Sequence, residues 1–182
     1  MKRLVLFLAV TCFTSSAVLA GGLGAFGSYW DTKDADAGYG YGVRLASTSD
    51  PVGYLEVRAS YFNTHSIEQT TADVDLEIIP IDVGITMNLG SEESIQLYLG
   101  AGGSYFLMDS EVKQAGLTRD IDIDDEWGWY ALVGFELDFS KSFSLFGEGT
   151  YRQVKGDVSD STLDIEFKLD GFGGNVGLMF MF

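Results

Sequence analysis

Cysteine occurs once, at Cys12, histidine once, at His65, and proline twice, at Pro51 and Pro80. Cationic side chains are scarce as well, with 11 Lys and Arg against 27 Asp and Glu and a formal charge of −16. No apolar stretch after residue 20 approaches the roughly 20 residues that a membrane-spanning helix needs; the longest, Trp129 to Phe135, includes Gly134. Each shortage excludes something. Residues 1–20 carry Lys2 and Arg3, an apolar run from Leu4 to Phe13 and a small-residue end at Val18-Leu19-Ala20, the layout of a cleaved export signal. Cys12 leaves with that signal, so residues 21–182 are cysteine-free and cannot use disulfides, thiolate catalysis or Cys-based metal sites. Removing two basic residues and no acids leaves 9 cations against 27 acids, a charge of −18. Such a surface repels nucleic acid, so no nucleic-acid partner is expected, and it meets anionic headgroups only through divalent cations.

What the chain has in abundance is alternation. From Gly171 to Phe182, GFGGNVGLMFMF, the residues Phe172, Val176, Leu178, Phe180 and Phe182 share one face, while Gly173, Asn175, Gly177, Met179 and Met181 share the other. The same two-residue period appears in Tyr39 to Ala46, Leu55 to Tyr61, Ile79 to Leu89, Ile95 to Ser104, Trp129 to Phe139 and Phe143 to Arg152. With an ambiguous Gly-rich segment over 22–31, this makes eight strands, each with one apolar face and one face that is small or polar. Backbone hydrogen bonds inside a bilayer are satisfied only by helices or closed barrels, and helices are excluded. The expected fold is therefore all-β, an eight-stranded antiparallel up-and-down transmembrane barrel over 21–182. Short turns at 47–52, 90–94 and 140–142 are assigned to the periplasm, and the longer polar segments to the outside. Aromatic residues fall where interfacial girdles belong: Phe139, Phe143, Phe180 and Phe182 at the turn end, and Trp30, Tyr61, Trp127, Trp129 and Tyr151 at the loop end.

Several residues on the small face are charged. Arg44, Arg58 and Arg152 accompany Glu56, Asp82, Glu136, Asp138 and Glu148, and an eight-stranded barrel is only wide enough to be filled by its own side chains. Unpaired charges there are too costly, so these eight are expected to form a mutual salt-bridge network that fills the lumen. In two strands the apolar parity changes: Val74, Leu76 and Ile78 are out of step with Ile79 and Ile81, and Leu163, Ile165, Phe167 and Leu169 are out of step with Phe172 onward. A β-bulge near Ile79-Pro80 and another near Gly171 are expected to reset the facing, because Gly and Pro favour bulges. The alternative turns Leu76, Ile78, Leu163, Ile165, Phe167 and Leu169 inward, making an apolar pocket in the outer half. Asp120, Asp122 and Asp124 have the spacing that opens a calcium loop, but Asp125 stands where such a loop needs Gly, so at most weak cation binding is expected and no cofactor. His65 and Ser66 are adjacent in a strand and so point to opposite faces, which does not make a nucleophile and base pair.

The eight amphipathic strands, the segments LYLGAGGSY (97–105) and SLFGEGTY (144–151) and the terminal GLMFMF together resemble the small outer-membrane barrels of Gram-negative bacteria, the OmpX and OmpA type, with the OmpW type as neighbour. That resemblance implies a monomer in the bacterial outer membrane, contacting outer-membrane lipid and lipopolysaccharide. It also implies assembly by the barrel-assembly machinery, with Val176, Leu178, Phe180 and Phe182 of the last strand as recognition element. The expected function is non-enzymatic, a surface role for a barrel with a filled lumen and acidic outer loops. The OmpW alternative is a carrier or narrow channel for small hydrophobic molecules. A lipid A modifying enzyme is a lesser alternative.

Overall fold

A computed structural model describes residues 20–33, 37–47, 52–65, 73–92, 95–114, 117–121, 126–160 and 163–182. They form ten strands: β1 (Ala20–Thr32), β2 (Gly38–Ser47), β3 (Gly53–His65), β4 (Asp73–Glu92), β5 (Ile95–Gln114), β6 (Leu117–Ile121), β7 (Glu126–Asp138), β8 (Phe143–Asp160), β9 (Leu163–Lys168) and β10 (Gly171–Met181). All neighbours are antiparallel, and β10 pairs both with β1, from Gly22↔Met181 to Thr32↔Gly171, and with β8, from Gly171↔Arg152 to Phe180↔Phe143. The sheet therefore closes on itself with β1, β2, β3, β4, β5, β7, β8 and β10 as its eight staves. Closure removes the unpaired edge that a bilayer would not tolerate.

The remaining two strands lie beyond the barrel wall proper. β6 pairs with the outer end of β5, and β9 with the outer end of β8. Much of what the polarity of 109–126 and 155–161 suggests as loop is thus paired strand. At 20 residues each, β4 and β5 are about twice the length that a tilted strand needs to cross the bilayer.

Facing follows the alternation. On β2 Tyr39, Tyr41 and Val43 are exposed on the outer wall while Gly42, Arg44 and Ala46 are buried, and on β10 Phe172, Val176, Leu178 and Phe180, with Phe182 just beyond it, are exposed while Asn175, Gly177 and Met179 are buried. β1, with large residues on both faces, puts Phe26 and Trp30 inside and Leu23 and Tyr29 outside. Trp30 is thus not in the loop-end girdle where the sequence placed it; it is fully buried. It shares the inner face with Gly24 and Ser28, a facing set by the pairing of β1 with β2 and β10.

Inward glycines make space for inward rings. A Cβ added at Gly134 would lie 2.6 Å from the Tyr98 ring, and one at Gly177 would lie 2.6 Å from the Phe146 ring. The one irregularity between β4 and β5 is a register shift between Asn88 and Gly90, at the turn end, where Gly90 has φ 145°. That backbone conformation suits glycine alone.

The two bulges expected from the parity changes are not there. Pairing of β4 with β5 runs unbroken from Ile78↔Met108 through Ile79↔Leu107 and Pro80↔Phe106 to Ile81↔Tyr105. Across the other junction, Lys155↔Lys168 and Arg152↔Gly171 belong to one register, and the amide N–H of Leu169 donates to Val154 O at 3.2 Å between them. With no residue inserted, the apolar parity carries straight into the lumen, and Ile78 and Leu169 are buried inside. Pro80 accordingly marks a gap in hydrogen bonding rather than in register, for the paired residues of β3 and β4 skip from Ala59↔Ile81 to Phe62↔Ile78.

Candidate functional site: a layered lumen

The interior is stacked in three layers along the barrel. At the turn end Phe26, Ala46, Tyr54, Phe146 and Met179 pack as an apolar floor. Above them, β2, β3, β7 and β8 bring Arg44, Arg58, Glu56, Glu136 and Glu148 together, each fully or almost fully buried. Strand geometry explains the gathering. Arg44 and Arg58 are directly paired across β2 and β3, and Glu148 reaches them from the opposite wall.

Glu148 is the hub. Its Oε1 accepts from Arg44 Nη1 at 2.9 Å, Arg58 Nη2 at 2.8 Å and Tyr98 Oη at 2.8 Å, and its Oε2 accepts from Arg58 Nη1 at 2.5 Å and Asn175 Nδ2 at 3.0 Å. The Arg58 fork on this carboxylate is bidentate, the strongest geometry for such a pair. Arg58 also donates to Glu56 at 2.8 Å, and Arg44 to Glu136 at 3.3 Å. Tyr130 Oη donates to Glu56 at 3.0 Å, and the Ser144 hydroxyl donates to Glu136. The Arg44 guanidinium carbon lies 3.9 Å from the Phe146 ring centroid, which seats the cation on the apolar floor. Through Asn175, whose Oδ1 accepts from Ser28 Oγ at 2.6 Å, the hub is tied to β1 and to the β1–β10 seam.

One charged pair stands apart. Arg152 donates to Asp82 at 3.1 Å, and Ser104 donates to the same carboxylate at 2.6 Å. The Arg152 guanidinium carbon is 5.8 Å from the Trp30 ring centroid and 6.0 Å from that of Phe62, so this pair touches the third layer. That layer is apolar: Trp30, Phe62, Ile78, Phe106, Met108, Val154 and Leu169, none more than 2% exposed. Trp30 stacks on Phe106 at 6.0 Å and tilts against Phe62 at 5.5 Å.

Seven of the eight charges expected in the lumen lie there, as Arg44 with Glu136 and Glu148, Arg58 with Glu56 and Glu148, and Arg152 with Asp82. Asp138 does not join them. It has the inward parity but is the last residue of β7, paired with Ser144 at the rim and exposed. Of the apolar set, Ile78 and Leu169 are in the upper layer; Leu76, Leu163, Ile165 and Phe167 lie in β4 and β9 with side chains outside the described residues. The same holds for Asp120, in β6, and for His65, at the end of β3; Asp122, Asp124, Ser66 and residues 1–19 of the export signal at 1–20 fall outside altogether, while Ala20 opens β1. Val176, Leu178, Phe180 and Phe182 are exposed on the outer wall, Val176 to 64% and Phe182 to 64%. Sequence reasoning missed Tyr98, Tyr130, Asn175 and Ser28 as partners of the network. Tyr130 shares the inward parity of Glu136 on β7 and Tyr98 and Asn175 have inward parity on strands without inward charge, while the ambiguous facing of β1 gave Ser28 no signal.

A closed eight-stranded barrel with an apolar outer wall and a side-chain-filled interior holding a buried charge network is the architecture of an outer-membrane protein. Residues 5–180 match the family model of the outer membrane protein beta-barrel domain, and the chain belongs to that family. No curated protein matches it in sequence. Among solved structures it is similar to the outer membrane protein OprG of Pseudomonas aeruginosa, with 17% identity, coverage of 90% of this chain and 96% of that one, and a TM-score of 0.70. It is also similar to outer membrane protein W of E. coli, with 14% identity, coverage of 90% and 98% and a TM-score of 0.56. Ail, the attachment invasion locus protein of Yersinia pestis, matches with 12% identity, coverage of 88% and 95% and a TM-score of 0.56. At these identities the likeness is one of fold.

Proposed function

We propose that the protein is a non-enzymatic outer-membrane barrel whose inner half is sealed by the charge network and whose apolar outer half takes up small hydrophobic molecules. The observation that carries this reading is the inward facing of Ile78 and Leu169, which turns the upper lumen from a polar plug into an apolar layer. The buried acids support the sealed half. Glu148, Glu56, Glu136 and Asp82 are spent on Arg, Tyr, Ser and Asn partners within the wall, which leaves no free carboxylate in the network to act as acid or base. Burying charge at this cost suits a lock better than an ion path.

The test uses Trp30 as reporter in the Trp127→Phe/Trp129→Phe background, reconstituted in lipid vesicles. 1-Bromodecane, a heavy-atom quencher, should quench Trp30 in a saturable manner, and Leu169→Glu should abolish the saturable part. Quenching that rises linearly with the quencher in the lipid and ignores Leu169→Glu would sink the proposal. In planar bilayers the protein should show no steady single-channel conductance.

A second reading is a plain barrel that acts through its acidic outer segments on lipopolysaccharide, cations or outside partners. The upper layer's being filled by its own side chains favours it. The linear quenching result would select it.

A further inference from the structure

Three donors in the upper lumen have no partner. Trp30 Nε1, Arg152 Nε and Ser60 Oγ are buried without a hydrogen bond, on residues that are respectively 0%, 1% and 2% exposed. Burying such groups unsatisfied costs about 1–3 kcal/mol each. Arg152 lies against the Trp30 and Phe62 rings, and Ser60 shares the inward face of β3 with Arg58 below it and Phe62 above it. Opposite Ser60 on β2 is Gly42, and in the register of β3 with β4 the residue level with it is Pro80, which has no N–H; neither neighbour supplies a polar side chain. Trp30 and Arg152 thus lie at the seam between the apolar layer and the Arg152–Asp82 pair, with Ser60 two residues from Phe62 on the same inward face.

From this we infer a head-group subsite for a neutral, oxygen-bearing amphiphile. Its hydrocarbon tail replaces apolar contacts in the upper layer, and its hydroxyl or carbonyl oxygen, with two lone pairs, accepts from up to two of these donors. The inference rests on the hydrophobic-uptake reading and adds the chemical class of the molecule taken up. Charge decides against an anionic head. Arg152 is already balanced by Asp82, and the lumen as a whole holds three cations and four acids among the described residues, so a carboxylate would bring a second uncompensated negative charge into a buried site. A plain alkane would leave the donors unsatisfied. Entry requires displacement of Leu169, which lies between β9 and β10 outside either strand and is anchored by its amide on Val154.

The probes are 1-decanol, decane and decanoate at pH 8, added to protein labelled with 15N at tryptophan and 13C at Ile and Leu methyl groups, in lipid nanodiscs. The Trp30 indole N–H signal is identified by its loss in Trp30→Phe. Decanol should move the Ile78 and Leu169 methyl signals and shift the Trp30 indole proton downfield, both saturating with one affinity. Decane should move the methyls without the indole shift and bind at least several-fold more weakly, and decanoate should bind at least 10-fold more weakly than decanol. Ser60→Ala, which keeps the packing, should weaken decanol about 2- to 10-fold, the worth of one neutral hydrogen bond, and leave decane unchanged. Equal binding of decane and decanol, or tightest binding of decanoate, overturns the head-group subsite while the uptake reading stands. No saturable movement of the Ile78 and Leu169 methyls by any probe overturns both.

Discussion

Removing charge from the Glu148 hub separates the effect of hydrogen-bond number from the effect of charge balance. Glu148 accepts five hydrogen bonds, more than any other acid of the lumen. Counting bonds alone makes Glu148→Gln the most damaging substitution in the network. Counting charge gives the opposite ranking. With three arginines against Glu56, Asp82, Glu136 and Glu148, the native lumen carries 3 minus 4, or −1. Glu148→Gln brings it to zero and leaves three one-to-one pairs, Arg44–Glu136, Arg58–Glu56 and Arg152–Asp82. Its cost is the weakening of charge-assisted bonds, about 1–3 kcal/mol. Arg58→Gln brings the lumen to −2, leaves Glu56 with Tyr130 alone and strips Glu148 of its bidentate partner; breaking a buried pair in this way costs about 3–5 kcal/mol. The assay is reversible urea unfolding in lipid vesicles, followed by tryptophan fluorescence and by the gel shift between folded and unfolded barrel. Arg58→Gln should lower the unfolding midpoint more than Glu148→Gln, and Arg58→Gln/Glu56→Gln should recover part of the loss. A greater loss in Glu148→Gln than in Arg58→Gln would refute the charge-balance argument.

Gly134→Val should destabilise the barrel by about 1–3 kcal/mol in the same assay, because its Cβ falls 2.6 Å from the Tyr98 ring, whereas Gly27→Ala, where a Cβ meets nothing within 4 Å, should change the midpoint little. Replacing both Phe180 and Phe182 by Ser should slow insertion by the purified assembly machinery several-fold, measured by the gel shift with time, if the exposed apolar face of β10 is what the machinery reads; an unchanged rate would remove these residues from that role.

The staves were legible because a two-residue period with one apolar face is a strong local signal, and the charges at Arg44, Arg58, Glu56, Glu136 and Glu148 declared the inner face by their cost in lipid. Three things were not. Trp30 looked like a girdle residue because β1 is apolar on both faces, and only closure onto β2 and β10 decides which side it takes. The parity changes at Ile78 and Leu169 read as bulges, with an inward apolar layer as the alternative, because Gly and Pro stand beside them and local sequence carries no register; the unbroken pairing with Met108 and the Leu169–Val154 hydrogen bond overturn that reading. Asp138 has the right parity and the wrong height, a coordinate along the barrel that alternation does not encode. Partners such as Asn175 with Glu148 join strands far apart in sequence and depend on barrel diameter.

The central claim, that the outer half of the lumen is apolar and inward, is tested most directly by cysteine substitution, since residues 21–182 contain no thiol of their own. Ile78→Cys and Leu169→Cys are compared with Leu178→Cys, which is 58% exposed on the outer wall, using a lipid-soluble maleimide in outer-membrane vesicles. The account predicts rapid labelling at 178 and protection at 78 and 169, with protection lost on unfolding. Labelling at 78 and 169 as fast as at 178 would place both side chains in the lipid and contradict the account.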